Sequence, residues 1–341
     1  MDNGAFIIVA ASVLGFGLFS ARLSGSIVSA PMVFTAIGLL LSPQLFGLSG
    51  LEESHAGVHL LAEVTLILVL FTDASRIGFG LLRHEFTLPL RLLGVGMPLT
   101  IALGTGVAWL LFPGCDLWHA ALMAAILAPT DAALGQAVVT NEKVPVRIRQ
   151  TLNVESGLND GIALPVVLMF VAFVGQAGGE AGGLGWLGTM LQQIAVGAGA
   201  GALVGYVGGQ ALALGERLGT MQQIYGKLGA LSVALLCYAG AEVAGGNGFI
   251  AAFLGGMTLG NTSRASCHCL FEFIEEEGQF LTLLAFLLFG TLMVWPAADH
   301  WTWHTWVYAG LSLTAIRMVP VAVSLLGSGL HAGSFLFIGW F

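Results

Sequence analysis

The sequence predicts an all-α polytopic membrane protein. Of its 341 residues, 57% are hydrophobic and only 9% are charged, whereas a soluble domain carries about 25% charged residues. The mean hydropathy is +0.90, and apolar stretches of about 20 residues, enough to cross a hydrocarbon core of about 30 Å, recur along the sequence. These observations argue against a soluble domain and favour a bundle of membrane-spanning helices.

Eleven apolar spans and the start of a twelfth at Ala332 account for the sequence in order. The ninth span is short and rich in glycine. The predicted spans are residues 4–20, 27–42, 57–79, 88–112, 117–139, 150–174, 186–214, 223–243, 246–260, 278–296 and 304–326. We therefore expect residues 1–341 to form a single transmembrane domain.

The basic residues predict how the protein is oriented. No Lys or Arg precedes the first span and Arg22 follows it, the reverse of the charge order in a signal peptide, so this span is expected to be a true membrane helix. If Arg22 is cytoplasmic, all the Lys and Arg residues except Arg317 form one set at the cytoplasmic side, in loops or near the ends of spans, which places the N-terminus outside. This set is Arg22, Arg76, Arg83, Arg91, Lys143, Arg147, Arg149, Arg217, Lys227 and Arg264. We expect a multi-pass protein of the cell's inner (plasma) membrane, with the lipid bilayer as partner and no nucleic acid.

Pro129 predicts a break in the fifth span. Proline lacks an amide donor and clashes with the preceding turn, so the helix should unwind over residues 128–131. Broken helices at membrane depth line wet cavities and build the binding sites of transporters. The carbonyl and hydroxyl of Thr130 and the carboxylate of Asp131 then become available to a cation. Alternatively, Thr130 or Asp131 only caps the half-helix that follows.

The sixth span carries a polar patch. Helical spacing sets Ser156 and Asp160 one turn apart, with Glu155 and Asn159 paired beside them. Each charge at membrane depth costs about 2.5 to 3.5 kcal/mol, so the patch should face the broken helix and offer oxygen ligands to a hard cation. Alternatively, residues 159–161 form a turn that divides two short segments.

Arg317 is a single charge inside the eleventh span. Its preferred partner is Glu155, since a buried charge needs a counter-charge, and the pair would be structural. Arg317 as a snorkelling interface residue is the alternative.

These residues resemble the NhaP branch of the monovalent cation/proton antiporters. The resemblance is carried by Pro129-Thr130-Asp131 and by the run from Glu155 to Asp160, and residues 66–76 and Arg317 are similar as well. It implies an inverted-repeat antiporter fold with a broken helix at the midplane, usually a homodimer, that exchanges Na⁺ or a related cation for H⁺ by alternating access. The first repeat would cover about residues 1–175 and the second about 186–341. The sequence stops within the span that forms a second broken helix in the family, so the second repeat is expected to be incomplete and the protein truncated at its C-terminus.

The resemblance also implies roles for individual residues. Asp160 would bind cation and proton in turn, and Asn159 would support it. Asp131, the Thr130 carbonyl and Ser156 would complete the Na⁺ ligand set. Glu155 with Arg317 would be the internal ion pair. Asn in place of a second Asp before the essential Asp implies electroneutral exchange.

Two further acidic residues, Glu63 and Asp73, lie in the third span and are candidates to line an access path. The resemblance fixes neither as a ligand. Asp73 lies near the cytoplasmic end of the span, where it can simply pair with Arg76.

The chemistry supports exchange on its own terms. Burial disfavours a charged carboxylate unless a cation or a proton neutralises it, so Na⁺ and H⁺ should compete for Asp160. No cofactor and no enzyme activity are expected. An intramembrane hydrolase would need a base beside Ser156, and the sequence places no histidine of a membrane span next to it. Three alternatives stay open: a non-transporting fragment, a cation channel and a regulatory membrane subunit. Only an exchanger couples the fluxes of the two ions, so a measurement of flux coupling separates it from these alternatives.

Overall fold

The computed structural model describes residues 3–23, 28–42, 55–78, 87–130, 144–176, 183–263 and 268–340. Within these ranges the regular structure is helical, which confirms the predicted all-α class. The elements are α1 (Asn3–Leu23), α2 (Ala30–Leu40), α3 (His55–Ser75), α4 (Thr87–Arg91), π1 (Leu92–Gly96), α5 (Met97–Leu111), α6 (Leu117–Leu127), α7 (Val146–Gln176), α8 (Gly183–Arg217), α9 (Gln223–Val243), α10 (Gly248–Thr262), α11 (His268–Phe289), π2 (Gly290–Val294), α12 (Trp295–Ala298), α13 (Trp303–Ser312), α14 (Ala315–Ser324) and α15 (Ala332–Trp340).

Seven stretches of helix in the described ranges are long and apolar enough to cross a membrane. They are Gly57–Ser75, Thr87–Leu111, Val146–Gly175, Gly188–Arg217, Ile224–Val243, Glu277–Ala298 and Trp303–Ser324. Shorter apolar helices cover Val9–Ala21, Ala30–Leu40 and Leu117–Leu127. The molecule is thus a multi-span membrane protein.

The fold divides into two compact units, of which the first comprises Met1–Val69 and Glu272–Thr302. In this unit α2 crosses the end of α11 and π2 at glycines. A Cβ at Gly38 would overlap the carbonyl oxygen of Leu287, and a Cβ at Gly290 would overlap that of Thr35. The two backbones therefore meet without side chains between them, as small residues allow in membrane helices.

The second unit comprises Leu70–Phe271 and Trp303–Phe341, and it contains the helices predicted to form the site. One apolar cluster joins α4, π1 and the start of α7 to α14 and α15; it includes Leu88, Leu92, Ile148, Leu152, Val321, Leu325 and Ile338. A second cluster joins π1 and α5 to α6 and α7; it includes Leu93, Met97, Ile101, Ala124, Ala125, Ala128 and Ala163. The two clusters hold α7 against α6 and α14.

Glycines also govern the packing of α10 in the second unit. Gly197, Gly201 and Gly205 recur every fourth residue on α8, and a Cβ on any of them would collide with the backbone of α10 or the residue before it. On its other side, α10 brings Gly256 and Gly260 against the carbonyl oxygens of Phe71 and Ser75 in α3. Helix α10 is therefore in direct backbone contact with helices on two sides.

The eleventh predicted span, residues 304–326, is not one continuous helix. Helix α13 ends at Ser312 and α14 begins at Ala315, with Thr314 at φ −124° and ψ −96° between them. The Thr314 hydroxyl donates to the Gly310 carbonyl at 2.6 Å, a local bond that bends helices. No proline or glycine occupies residues 313–314, so the usual sequence signal for a break is missing.

Candidate cation site

The end of α6 supplies the backbone oxygen at the centre of the site. The helix ends at Leu127, two residues before Pro129. This is expected, because proline has no amide hydrogen and cannot continue the backbone hydrogen bonds of a helix. The half-buried Thr130 follows, and its carbonyl oxygen accepts a hydrogen bond from Asn159 Nδ2 at 2.9 Å and one from Ser156 Oγ at 3.4 Å. The Thr130 hydroxyl accepts from Asn159 Nδ2 at 2.7 Å.

Helix α7 presents the polar patch to this broken end. Glu155, Ser156 and Asn159 are buried, with 2%, 3% and 2% of their surface exposed, and Asp160 beside them is half-buried. The helix runs without interruption from Val146 to Gln176, so residues 159–161 do not form a turn. The structure brings Thr130, Ser156 and Asn159 into direct contact and places Asp160 in the same turn.

Glu155 and Arg317 form a buried ion pair between α7 and α14. Arg317 Nη2 lies 2.7 Å from Glu155 Oε1, and the side chains are 11% and 2% exposed respectively. Arg317 therefore does not snorkel to an interface. Two further atoms of the pair, Glu155 Oε2 and Arg317 Nε, are buried and have no hydrogen-bond partner among the described residues.

Two glycines bring α3 and α10 against the other side of α7. A Cβ on Gly157 would stand 3.3 Å from Ile77 and 3.9 Å from the carbonyl oxygen of Asp73. A Cβ on Gly161 would stand 2.5 Å from the ring of Phe253 in α10. The backbone of Asp73 therefore lies beside the turn that carries Ser156. The four-residue spacing of the glycines was the available sequence signal for this contact.

Three predicted residues, Asp131, Asp73 and Glu63, remain to be located. Asp131 lies outside the described residues. Asp73 is half-buried in the second unit, while Glu63 is half-buried in the first unit. In the ranges that the structure describes, no group of three or more His, Cys, Asp or Glu side chains assembles a metal cluster.

The arrangement offers oxygen atoms of mixed type, which is the chemistry that a hard cation requires. Thr130 contributes a carbonyl and a hydroxyl oxygen, Ser156 a hydroxyl, and Asp160 a carboxylate. The Oδ1 atom of Asn159 is buried and has no partner within the described part of the protein, because its amide nitrogen is the atom turned toward Thr130. Such oxygen sets suit alkali and other hard cations and not soft metals.

Most of the chain is similar in sequence to known proteins. Residues 8–341 match the family described as "Sodium/hydrogen exchanger, transmembrane". The K(+)/H(+) antiporter NhaP of Alkalimonas amylolytica is 27% identical over 331 residues, which are 95% of this chain and 55% of that protein. The K(+)/H(+) antiporter NhaP2 of Shewanella sp. strain MR-4 is 27% identical over 301 residues, 86% of this chain and 50% of that protein. The chain thus spans about half the length of the curated relatives it matches.

A solved structure shares the fold. The sodium proton antiporter MjNhaP1 from Methanocaldococcus jannaschii at pH 8 superposes with a TM-score of 0.80 at 18% sequence identity, covering 98% of this chain and 83% of that one. At this identity the likeness concerns the fold alone, and it confirms the predicted antiporter fold class.

Proposed function

The chain belongs to the sodium/hydrogen exchanger family, and on this premise we propose that it exchanges a monovalent cation for H⁺ across the membrane by alternating access. The observation that carries the proposal is the contact between the broken end of α6 and the polar turn of α7. There the Thr130 carbonyl meets Ser156 and Asn159, one residue from Asp160. The relatives described above are cation/proton antiporters, which agrees with the proposal.

In the proposed mechanism Asp160 is the carboxylate that carries either ion. A cation would bind to Asp160 together with oxygens of Thr130, Ser156 and Asp131, and Asn159 would hold the Thr130 segment in place through its two hydrogen bonds. A proton would neutralise the same carboxylate. Because a bare charge is costly at membrane depth, only the neutralised forms move the site between the two sides, and this restriction couples the two fluxes.

The buried pair of Glu155 and Arg317 is structural in this mechanism. Since each charge already has its counter-charge at 2.7 Å, Glu155 is not needed as an ion carrier. One ionisable carrier, Asp160, is consistent with the exchange of one cation for one proton, which would be electroneutral.

The cation is proposed to be Na⁺, with K⁺ and Li⁺ as related substrates. The curated relatives are named for K⁺ and the solved structure for sodium, so both ions belong in the test. We further propose that the protein is a homodimer in the plasma membrane, with its N-terminus outside and no resident cofactor.

Replacement of Asp160 tests the proposal. In proteoliposomes that carry a pH-sensitive dye, Asp160→Asn should abolish proton movement driven by a Na⁺ or K⁺ gradient. Asp299→Asn is the matched control, because it removes the same charge from an exposed turn residue and should leave exchange unchanged.

Retained cation-driven proton movement in Asp160→Asn would contradict the assignment of the carrier. Cation flux in the wild type without proton movement in return would instead favour a channel. A clamp of the membrane potential with valinomycin and K⁺ reports stoichiometry: an electroneutral exchanger of Na⁺ keeps its rate when the potential is varied.

A further inference from the structure

We propose that Arg149 on α7 sets the apparent affinity for the transported cation by placing a fixed positive charge in the approach to Asp160. The inference rests on the proposed function and concerns a residue outside the ligand set and outside the ion pair. It is drawn from the position of Arg149 around the helix axis and from its burial.

Arg149 lies on the same face of α7 as the polar turn. At 3.6 residues per turn, positions 149, 156 and 160 fall within roughly 40° of each other around the helix axis. At 1.5 Å per residue, Arg149 is about 10 Å from Ser156 and about 16 Å from Asp160 along that axis. The helix is continuous over this stretch, so the alignment is not interrupted. Arg149 thus lies in line with the candidate site, toward the end of the membrane where α7 begins.

Part of the Arg149 guanidinium is buried in the protein. Its Nε atom is buried and has no hydrogen-bond partner among the residues described, although the residue as a whole is half-buried. A buried donor without a partner is costly. Its presence on the face of α7 that carries Ser156 and Asp160 points to a role for the charge itself.

A fixed charge at this distance acts on both approach and binding of a cation. Electrostatic repulsion lowers the local concentration of cations and weakens their binding, and it is not fully screened where water is restricted. At an effective dielectric constant between about 20 and 80, one unit charge about 16 Å away changes an equilibrium by about 1.5-fold to 6-fold. Arg149 would therefore keep the KM for the cation higher than the ligand set alone would give.

The experiment compares three variants in oriented proteoliposomes, with the cation added on the side where α7 begins. Arg149→Gln should lower the KM for Na⁺ or K⁺ by about twofold to fivefold and leave the maximal rate within about twofold. Arg149→Lys keeps the charge and should restore the wild-type KM. Arg147→Gln is the matched control, because this exposed residue is two positions away and turned to the opposite side of α7.

Ionic strength separates a charge effect from a structural one. Addition of choline chloride should shrink the KM difference between wild type and Arg149→Gln, since salt screens the charge. The inference is overturned if Arg149→Gln leaves KM unchanged, if Arg147→Gln produces the same shift, or if Arg149→Lys behaves like Arg149→Gln. These results are distinct from failure of the proposed function, which would appear as exchange that survives Asp160→Asn. If Arg149→Gln does not fold, Arg149→Met, which also removes the charge and keeps an apolar stem, takes its place with the same expected fall in KM and the same contradicting outcomes.

Discussion

At the scale of single residues, the contact between Glu155 and Arg317 has the clearest energetic consequence. Both side chains lie almost entirely out of solvent, and each is the counter-charge of the other at 2.7 Å. A buried pair contributes little net stability against an apolar replacement of both partners, yet removal of one partner leaves an uncompensated charge. The pair is therefore best understood as a linkage between α7 and α14 that tolerates joint replacement better than single replacement.

A double-mutant cycle tests this linkage. Glu155→Leu or Arg317→Met alone should destabilise the protein by about 3 to 5 kcal/mol, because the remaining charge is buried without its partner. The double variant Glu155→Leu/Arg317→Met should recover most of that loss. Thermal unfolding in detergent is the measurement, with Glu277→Gln, an exposed glutamate, as the neutral control. Equal and additive losses in the cycle would show that the two charges do not depend on each other.

At the scale of elements, α10 is held between α8 and α3 by glycines on two faces. In lipid no hydrophobic gain drives one apolar helix onto another, so close backbone approach has to supply the packing energy. The carbonyl of Ala251 occupies the place that a Cβ on Gly201 would take, and the carbonyl of Phe71 does the same for Gly256. Since α7 contacts α3 at Gly157 and α10 at Gly161, these crossings also position the helix that carries Asp160.

Two glycines of α8 give a paired test of this packing. Gly201→Ala places a methyl group onto backbone atoms of α10 that cannot move aside, so the thermal midpoint should fall by several degrees. Gly199→Ala, two residues along the same helix, meets no atom within 4 Å and should be neutral or slightly stabilising, because alanine favours helix by about 1 kcal/mol over glycine. Similar behaviour of the two variants would mean that the α8 and α10 backbones are not in contact.

The same elements show what the sequence could and could not predict. Span positions followed from hydrophobic length, and the end of α6 followed from Pro129, because both depend on local chemistry. The break at Thr314 had no such signal, since it arises without proline or glycine. The pairing of Glu155 with Arg317 could be anticipated because a buried charge requires a partner. The neighbours of Gly157 and Gly161 could not, because they depend on how whole helices cross.

At the scale of the whole molecule, the proposed orientation in the membrane organises the charges. Arg91 ends α4, Arg147 and Arg149 lie in the first turn of α7, and Arg217 ends α8. Under the positive-inside rule these helix ends share the cytoplasmic side. The turn between α5 and α6, which contains Cys115, then belongs to the external side, and it offers a chemical handle on topology.

Labelling of Cys115 tests the orientation. In intact cells a membrane-impermeant maleimide should label Cys115, whereas Cys267 and Cys269, on the proposed cytoplasmic side, should react only after permeabilisation.

Partial burial, and then the neighbouring Asp116 carboxylate, raise the pKa of the Cys115 thiol. A raised pKa leaves less thiolate at neutral pH, so labelling should be slow at pH 7 and accelerate as the pH rises. Asp116→Asn removes the negative charge beside the thiol, and an asparagine can still cap α6, so the variant should be labelled faster at a given pH.

Cys115→Ala is the control and should abolish the signal from intact cells. If Cys115 is labelled only in inverted vesicles, the orientation is opposite to the one proposed. Arg149 would then act on cations that enter from the other side of the membrane.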